Sequence, residues 1–441
     1  MKKSSVSFSI LFFVTLVTLA MPCAHAQQNW PLSLEHTLAI ARERNYDLKL
    51  SRSAIRFAEA NIEIAGALPN PTLTTQVTNI NPTSNLGGGS LLNKSIDTTI
   101  RVDQLIERGG KRELRTENAR KLELATRAES INLLHQLERV VTEAYVDVMA
   151  AQERRTAALD SEKLLDAILA AAKKRKDAGD ISGTDVERIK VDVLRIKNEV
   201  AAAEGELVRT RNTIGVLLGE AERASMMEAI DPWPALDLAV IYDQVIPEQI
   251  VDARADLRAA QARLEAAKTG SKFAQSLRTR DVTVGIQYEH YPQSAASSSG
   301  GASSYGVSVQ IPLFVRYYYG GEIRAAEANL DNANDMLSKI RDAAISEILR
   351  ARSALQNAAE RVRRNRNELL PSAEKAANAA EFAYQNGAAG VMDVLDARRT
   401  LRITRLDALA ALVDYSKSLA QWRAATTTTD ASLEVKGNTA K

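Results

Sequence analysis

The chain repeats itself. Asp47-Leu48-Lys49 recurs as Asp256-Leu257-Arg258, an offset of 209 (256 minus 47), and at that offset Ile55, Ala58, Ala65 and Leu68 meet Leu264, Ala267, Ala274 and Leu277. Gly109-Gly110 recurs as Gly320-Gly321 at an offset of 211 (320 minus 109). Gly179 with Asp185-Val186 recurs as Gly387 with Asp393-Val394 at 208 (387 minus 179). Landmarks in one order at near-constant spacing require a fold made from two copies of one unit. The first repeat spans 27–230 and the second 248–426, joined by the proline-bearing stretch 231–247 and followed by a polar tail, 427–441.

Each unit reads as helix, two strands, very long helix, turn, long helix. A helix is predicted from Ser33, its N-cap, to Ala67, where Pro69-Asn70-Pro71 stops it. The hydrophobic period then changes to two. Leu73, Thr75 and Val77 alternate with polar neighbours, as do Ile96, Thr98, Ile100 and Val102, giving strands at 72–82 and 95–105 around a glycine-rich loop, Thr83 to Asn93. Val282, Val284, Ile286 and Tyr288, then Val307, Val309 and Ile311, repeat the pattern at 281–291 and 304–313 around the loop Ser294 to Ser304. Alternation alone fits a half-buried soluble sheet. Strands of about ten residues with a long polar loop at one end also fit a tilted membrane hairpin. Four strands cannot close a barrel, and open edges are not tolerated in lipid, so a membrane barrel made from them is shared between chains.

Long helices are predicted at 110–178 and 184–219, and again at 321–386 and 391–425. No proline falls between Gly110 and Gly179, so the first reaches about 100 Å at ~1.5 Å per residue. Pro371 interrupts its counterpart and predicts a bend or a loosened turn there. Val186, Ile189, Val193, Ile196, Val200, Ala203, Leu207, Thr210, Ile214 and Leu217 step by three and four, a heptad seam; Leu134, Leu137, Val141, Ala144, Val148 and Ala151 match it on the outgoing helix. The two pair antiparallel about the turn Asp177 to Gly183. A soluble coiled-coil rod shares this pattern but has no use for two hairpins.

Met1-Lys2-Lys3, the apolar run Phe8 to Ala20 and Ala24-His25-Ala26 read as a signal peptide, 1–26, so the chain is exported. Pro22 precedes Cys23, the single cysteine, where a lipoprotein signal has a small residue. Once the signal leaves, no thiol remains for disulfides or cysteine-bound metal. Lys+Arg 57 against Asp+Glu 55 gives no basic excess for a nucleic-acid partner. Beyond the signal no apolar run reaches helix-spanning length, so membrane insertion requires strands. Abundant alanine with only 5% aromatics suits long, closely packed helices.

These residues together resemble the TolC-like outer-membrane efflux proteins over nearly the whole mature chain. The most specific motif is Met392-Asp393-Val394-Leu395-Asp396-Ala397 following Tyr384 and Gly387, which resembles the family's periplasmic tip. The resemblance implies a homotrimer, with a twelve-stranded barrel in outer-membrane lipid continued by a periplasmic helical barrel. Gln104 to Arg112, and Ile311-Pro312-Leu313-Phe314 with Gly320-Gly321-Glu322-Ile323, resemble the branch serving cobalt-zinc-cadmium type pumps. The glycine pairs Gly109-Gly110 and Gly320-Gly321 permit a tight strand-to-helix change. By the same resemblance, Asp393 and Asp396 face the pore as carboxylate rings that favour cations. The resemblance likewise implies that Tyr384 helps latch neighbouring helices. The arginine expected after the tip glycine is missing, with Ala388-Ala389-Gly390 in its place, so Asp180, Asp185 or Arg188 across the turn from Gly179 to Gly183 are candidate partners.

Catalysis finds little support. His36, His135 and His290 are scattered, without ligand or triad spacing. Gly87-Gly88-Gly89 reads as a loop, and no phosphate-binding motif is present, so the protein is read as cofactor-free and not an enzyme. The expected partners are a periplasmic membrane-fusion adaptor and an inner-membrane RND transporter that supplies energy, with heavy-metal cations as cargo. Drug efflux, type I protein secretion and a soluble periplasmic adaptor or scaffold stay open as alternatives.

Overall fold

The structure, a computed structural model, describes residues 29–80, 96–237, 247–291 and 302–428. The signal peptide with Cys23, the glycine-rich stretch 83–93, residues 294–301 of the second loop, residues 238–246 of the linker and 429–441 of the tail lie outside the described residues.

In chain order the elements are β1 (Trp30–Leu32), α1 (Leu34–Arg44), α2 (Tyr46–Gly66), β2 (Thr72–Thr78), β3 (Asp97–Ile106), α3 (Lys111–Asp177) and α4 (Gly183–Leu218). A 3-10 turn, Ala221–Met226, leads to β4 (Met227–Ala229). The second unit comprises α5 (Pro247–Val251), α6 (Ala255–Ser276), β5 (Val282–Tyr291), β6 (Ala302–Gln310), α7 (Gly320–Arg364), a π turn (Asn365–Leu369), α8 (Leu370–Gln385) and α9 (Val391–Thr426).

The predicted first helix is two helices. Ser33 caps α1, its Oγ accepting from the His36 N–H at 3.3 Å. Asn45 then breaks the run: it is buried, its Oδ1 accepts from the N–H groups of Asp47 (2.9 Å) and Leu48 (3.2 Å), and its Nδ2 donates to the Leu217 carbonyl (2.9 Å). An asparagine that caps a new helix and also satisfies the end of α4 does more than one buried in a continuous helix, where its side chain competes with the backbone.

The α4 seam faces α3 as the heptad spacing requires. Val186, Ile189, Val193, Ile196, Val200, Leu207, Thr210 and Ile214 are buried, and against them Leu137, Val141, Ala144, Val148 and Ala151. The last step differs, with Leu218 rather than Leu217 fully buried. A fully buried isoleucine or leucine contributes about 1.5–3 kcal/mol of transfer free energy, so Ile189, Ile196, Ile214 and Leu218 fasten the pair along its length. In the second repeat Ala351, Leu355 and Ala358 are buried at positions 207 beyond Ala144, Val148 and Ala151 (351 minus 144).

Two larger cores sit where the short helices meet the long ones. The first joins β1, α1 and α2 to α3 and α4 around Tyr145, Val148, Ile214 and Met227. The second joins α5 and α6 to α7 and α9 around Leu257, Ile348, Leu355, Tyr415 and Trp422. Each buried tyrosine fastens the segment that links the repeats. The Tyr145 hydroxyl donates to the Leu32 carbonyl (2.8 Å) and accepts from the N–H groups of Ile230 and Asp231 (both 3.2 Å); burial pushes its pKa up to about 12. The Tyr415 hydroxyl donates to the Ala235 carbonyl (3.2 Å) and accepts from Asp237 N–H (3.1 Å). Short strands β1 and β4 pair in parallel beside this segment, Trp30 opposite Met227.

The π turn falls just ahead of Pro371, and α8 resumes with the proline in its first turn. A π turn lets the chain pass the missing N–H, so the predicted interruption takes this form. None of its five residues is buried.

Candidate functional site

The two hairpins merge into one antiparallel sheet in the order β2-β3-β5-β6. Observed strands end earlier than predicted on some edges, at Thr78 and Gln310, where pairing stops. The register puts Leu73 opposite Val102, Val102 opposite Ile286, and Ile286 opposite Val307, and the neighbouring rows carry Ile100, Tyr288 and Tyr305, then Val284 and Val309. Paired residues share a face, so one face of the sheet is apolar. Its outer positions are uncovered among the described residues: Tyr305 is 84% exposed, Val307 78% and Leu73 67%.

The other face is polar. Arg101 Nε donates to Asp103 Oδ1 (2.8 Å) and Arg101 Nη2 to Ser308 Oγ (2.9 Å), reaching across Gly285. A Cβ at Gly285 would lie 2.3 Å from Asp103 Oδ1 and 2.5 Å from Ser308 Oγ, so only glycine leaves this crossing room. An apolar face, a polar face and one unpaired edge on each of β2 and β6 are the features of a barrel segment, closed on the outside by lipid and on the inside by water.

At the base of the sheet the repeats solve the strand-to-helix change differently. Gly109 and Gly110 take left-handed conformations (φ +76° and +67°), as the predicted tight turn needs. Gly320 and Gly321 do not; Tyr319 takes the left-handed conformation (φ +55°), and α7 begins at Gly320. Gly321 instead lies under the Tyr317 hydroxyl, which accepts from its N–H at 2.9 Å and would have to swing aside for a Cβ, 2.4 Å away.

The opposite end of the molecule is the tip. Gly179 and Gly387, both left-handed, end α3 and α8 in matching turns: Asp180 N–H donates to the Arg175 carbonyl (2.9 Å) and Ala388 N–H to the Ala383 carbonyl (2.8 Å). Gly183 opens α4, capped by Ser182, whose Oγ accepts from Asp185 N–H (3.1 Å) and donates to Asp185 Oδ2 (2.8 Å). Asp393, the repeat counterpart of Asp185, caps α9 from the other side, its Oδ2 accepting from Gly390 N–H at 2.9 Å. Carboxylates in the first turn also complement the helix dipole. Asp180, Asp393 and Asp396 are exposed. Asp396 borders a groove of about 770 Å³ between α3, α4 and α9, which Arg398 and Arg402 also line; Arg402 pairs with Glu199 across it (2.5 Å).

The partner of Tyr384 is none of the residues the sequence offered. Arg175 in the last turn of α3 donates to its hydroxyl at 2.5 Å, the guanidinium lying 5.3 Å from the ring centre, while Asp185 is engaged by Ser182. Arg175 sits in the run Lys173-Lys174-Arg175-Lys176, which reads as cations at a helix C-terminus. At the tip offset of 208 (387 minus 179), Tyr384 matches Lys176 and Arg175 matches Ala383, so the duplication points to the basic run beside the matching place and not to Arg175 itself; the two side chains meet where the two tips touch. Beneath them Ala172, Val186, Ile189 and Leu395 form a small core across the repeats.

Among the described residues no group of three His, Cys, Asp or Glu side chains could hold a metal ion. No described helix is long and apolar enough to cross a membrane.

The sequence profile of a family described as outer membrane efflux protein matches residues 37–220 and again 246–428, one match per repeat. The cobalt-zinc-cadmium resistance protein CzcC of Cupriavidus metallidurans is 26% identical over 87% of this chain and 87% of its own length. The pyoverdine export outer membrane protein OpmQ of Pseudomonas putida is 23% identical over 83% of this chain and 80% of its own. A crystal structure of CusC superposes with a TM-score of 0.72 at 18% identity, covering 90% of this chain and 92% of that one.

Proposed function

Because the chain belongs to the outer membrane efflux protein family, we propose that it is the exit duct of a tripartite pump for heavy-metal cations, assembled as a homotrimer. The observation that carries the assembly is the sheet. Four strands with an exposed apolar face and two unpaired edges cannot stand alone in hydrocarbon, where each unsatisfied backbone group costs several kcal/mol. Three such sheets, β6 of one copy beside β2 of the next, give twelve strands and no edge. The polar face with Arg101 and Asp103 then lines the lumen. The α3/α4 and α7–α9 pairs continue the wall through the periplasm to a tip where Asp393 and Asp396 ring the aperture.

The chain supplies a passage and no energy. A periplasmic membrane-fusion adaptor and an inner-membrane RND transporter engage the tip, the turns at Gly179 and Gly387 splay, and cargo diffuses out. Metal cargo is supported by the likeness to CzcC across both repeats. The likeness to OpmQ favours a second reading, an organic cargo on the same duct. A soluble scaffold is the poorest reading, since both halves match the channel family.

Conductance in planar bilayers tests the duct, and zinc or cadmium efflux from cells lacking their own channel tests the cargo. Cation-preferring pores whose preference weakens in Asp393→Asn/Asp396→Asn support the aperture; unchanged selectivity removes the carboxylate rings. Restored efflux of an organic siderophore without restored metal resistance would reverse the cargo assignment.

A further inference from the structure

At the helix-side end of the sheet, the apolar rows run into arginines. Ile106 pairs with Val282 at the last rung of the apolar face. Two residues beyond each, in step with that face, stand Arg108 and Arg280; Arg108 N–H donates to Asp281 Oδ1 (2.9 Å), which holds them side by side. The positions in step with the polar face carry acids, and these are already neutralised: Glu107 pairs with Arg115 and Asp281 with Lys111, both at 2.8 Å. The chain thus turns its acids toward the lumen and its free cations toward the lipid.

Two more arginines join them. Arg278 lies 5.1 Å from the Tyr318 ring centre and Arg280 5.5 Å from that of Phe314, while Phe314 packs edge-on against Tyr318 and Tyr319. Arg316, between Phe314 and Tyr318 in sequence, is exposed. Among the described residues Arg108, Arg278, Arg280 and Arg316 have no ion-pair partner, and all four are exposed. Leu313 and Val315, past the end of β6, are 70% and 83% exposed and add apolar surface beside Phe314 in sequence. The loop end of the sheet has a different character, with Asp97 and Glu289 among its last paired residues.

We infer that this collar binds anionic glycerophospholipid headgroups of the periplasmic leaflet of the outer membrane. The inference rests on the membrane placement of the sheet. A guanidinium over an aromatic ring keeps its in-plane N–H donors for a phosphate, and the fork of donors suits two phosphate oxygens. Aromatic rings at this depth belong to the interfacial belt, with acyl chains against Leu313, Val315 and the sheet, and cationic side chains near a membrane surface attract anionic lipid. Such a collar fixes the depth of the barrel.

The test is lipid retention by purified protein in detergent, read by native mass spectrometry after equilibration with phosphatidylglycerol or phosphatidylcholine. Wild type retains phosphatidylglycerol in preference, and Arg278→Gln/Arg280→Gln retains it about tenfold less. A control pair, Arg364→Gln/Arg366→Gln, removes the same charge elsewhere and retains it like wild type. Equal retention by the collar variant, equal loss by the control pair, or displacement by inorganic phosphate as effective as by lipid would each overturn the inference. Flotation with phosphatidylglycerol/phosphatidylethanolamine vesicles separates the two levels: wild type that fails to float refutes the membrane placement, whereas a collar variant that floats and retains lipid refutes the collar alone.

Discussion

Removing the Arg175–Tyr384 contact should leave the duct open more of the time. The contact joins α3 of one repeat to α8 of the other at the tip, through a 2.5 Å hydrogen bond and a guanidinium 5.3 Å from the ring centre. It is exposed, so a charge-assisted hydrogen bond there falls toward the lower end, about 0.5–1 kcal/mol, and the cation–π attraction adds about 0.5–1 kcal/mol. About 1–2 kcal/mol per chain is a factor of about 5–30 in the closed-to-open ratio of one tip. If three tips release together, independent contributions add to about 3–6 kcal/mol. The assay is open probability of single channels for Tyr384→Phe, Arg175→Gln and the double variant. Tyr384→Phe keeps the ring and loses the hydroxyl, so it raises open probability less than Arg175→Gln; the double variant matches Arg175→Gln. Strictly additive effects of the two single changes, or open probabilities equal to wild type, would refute the latch.

Tyr145→Phe removes a hydroxyl that serves two N–H groups and a carbonyl in a buried site, and should cost about 1–3 kcal/mol, read as a lower melting temperature. Tyr415→Phe, which loses two bonds, should cost less. Gly285→Ala forces a Cβ into the Arg101–Asp103–Ser308 crossing, so the yield of heat-resistant oligomers should fall, whereas Gly205→Ala, which meets nothing within 4 Å, should stabilise α4 by about 0.5–1 kcal/mol. Burial, with Arg254 nearby and against the pull of Glu138, holds the His135 pKa below its ordinary 6.5. The unfolded chain therefore takes up this proton first as pH falls, so the stability from neutral His135 is complete above about 6.5 and drains away below it. Unfolding midpoints of His135→Asn should fall less steeply than wild type between pH 7.5 and 5; parallel curves would remove His135 from the account.

The parts of this fold that were legible in the sequence are those set by a period or a repeat. The α4 seam reads directly because most of its steps, though not Ala203 or Leu217, bury a side chain against α3, and the strands read because alternation and register cannot be separated. What escaped depends on single residues acting across long separations. Asn45 looks tolerable within one helix until the Leu217 carbonyl, 172 positions on, asks for its amide. β1 and β4 are too short for any pattern, and pair because the segment after β4 must return along β1. Tyr319 takes a conformation that glycine normally holds, which the Gly320-Gly321 pair concealed. Arg175 lay hidden in a basic run whose helix-end role is sufficient explanation for any one of its members.

The duplication preserves demands more faithfully than residues. In the first repeat Asn45 satisfies the Leu217 carbonyl near the end of the return helix; in the second Arg254, 209 positions later (254 minus 45), donates to the Ala425 carbonyl at 2.9 Å, 208 beyond Leu217 (425 minus 217). A helix C-terminus held in a core must find donors, and either side chain supplies one. The charged solution brings a second demand, answered by Asp256 (2.8 Å) and Glu347 (2.7 Å). Both joints lie at the two large cores, far from the tip, so the short helices are fastened to the return helices at the level where most apolar surface is buried. The tip has only the small cluster around Ile189 and Leu395, and on the way to it the α7–α8 run passes through a π turn with no buried residue. Local opening is least costly where the fewest apolar contacts must separate. On that argument, opening of the duct is expected between the π turn and the Gly179 and Gly387 turns, with the sheet and the two joints as the fixed frame.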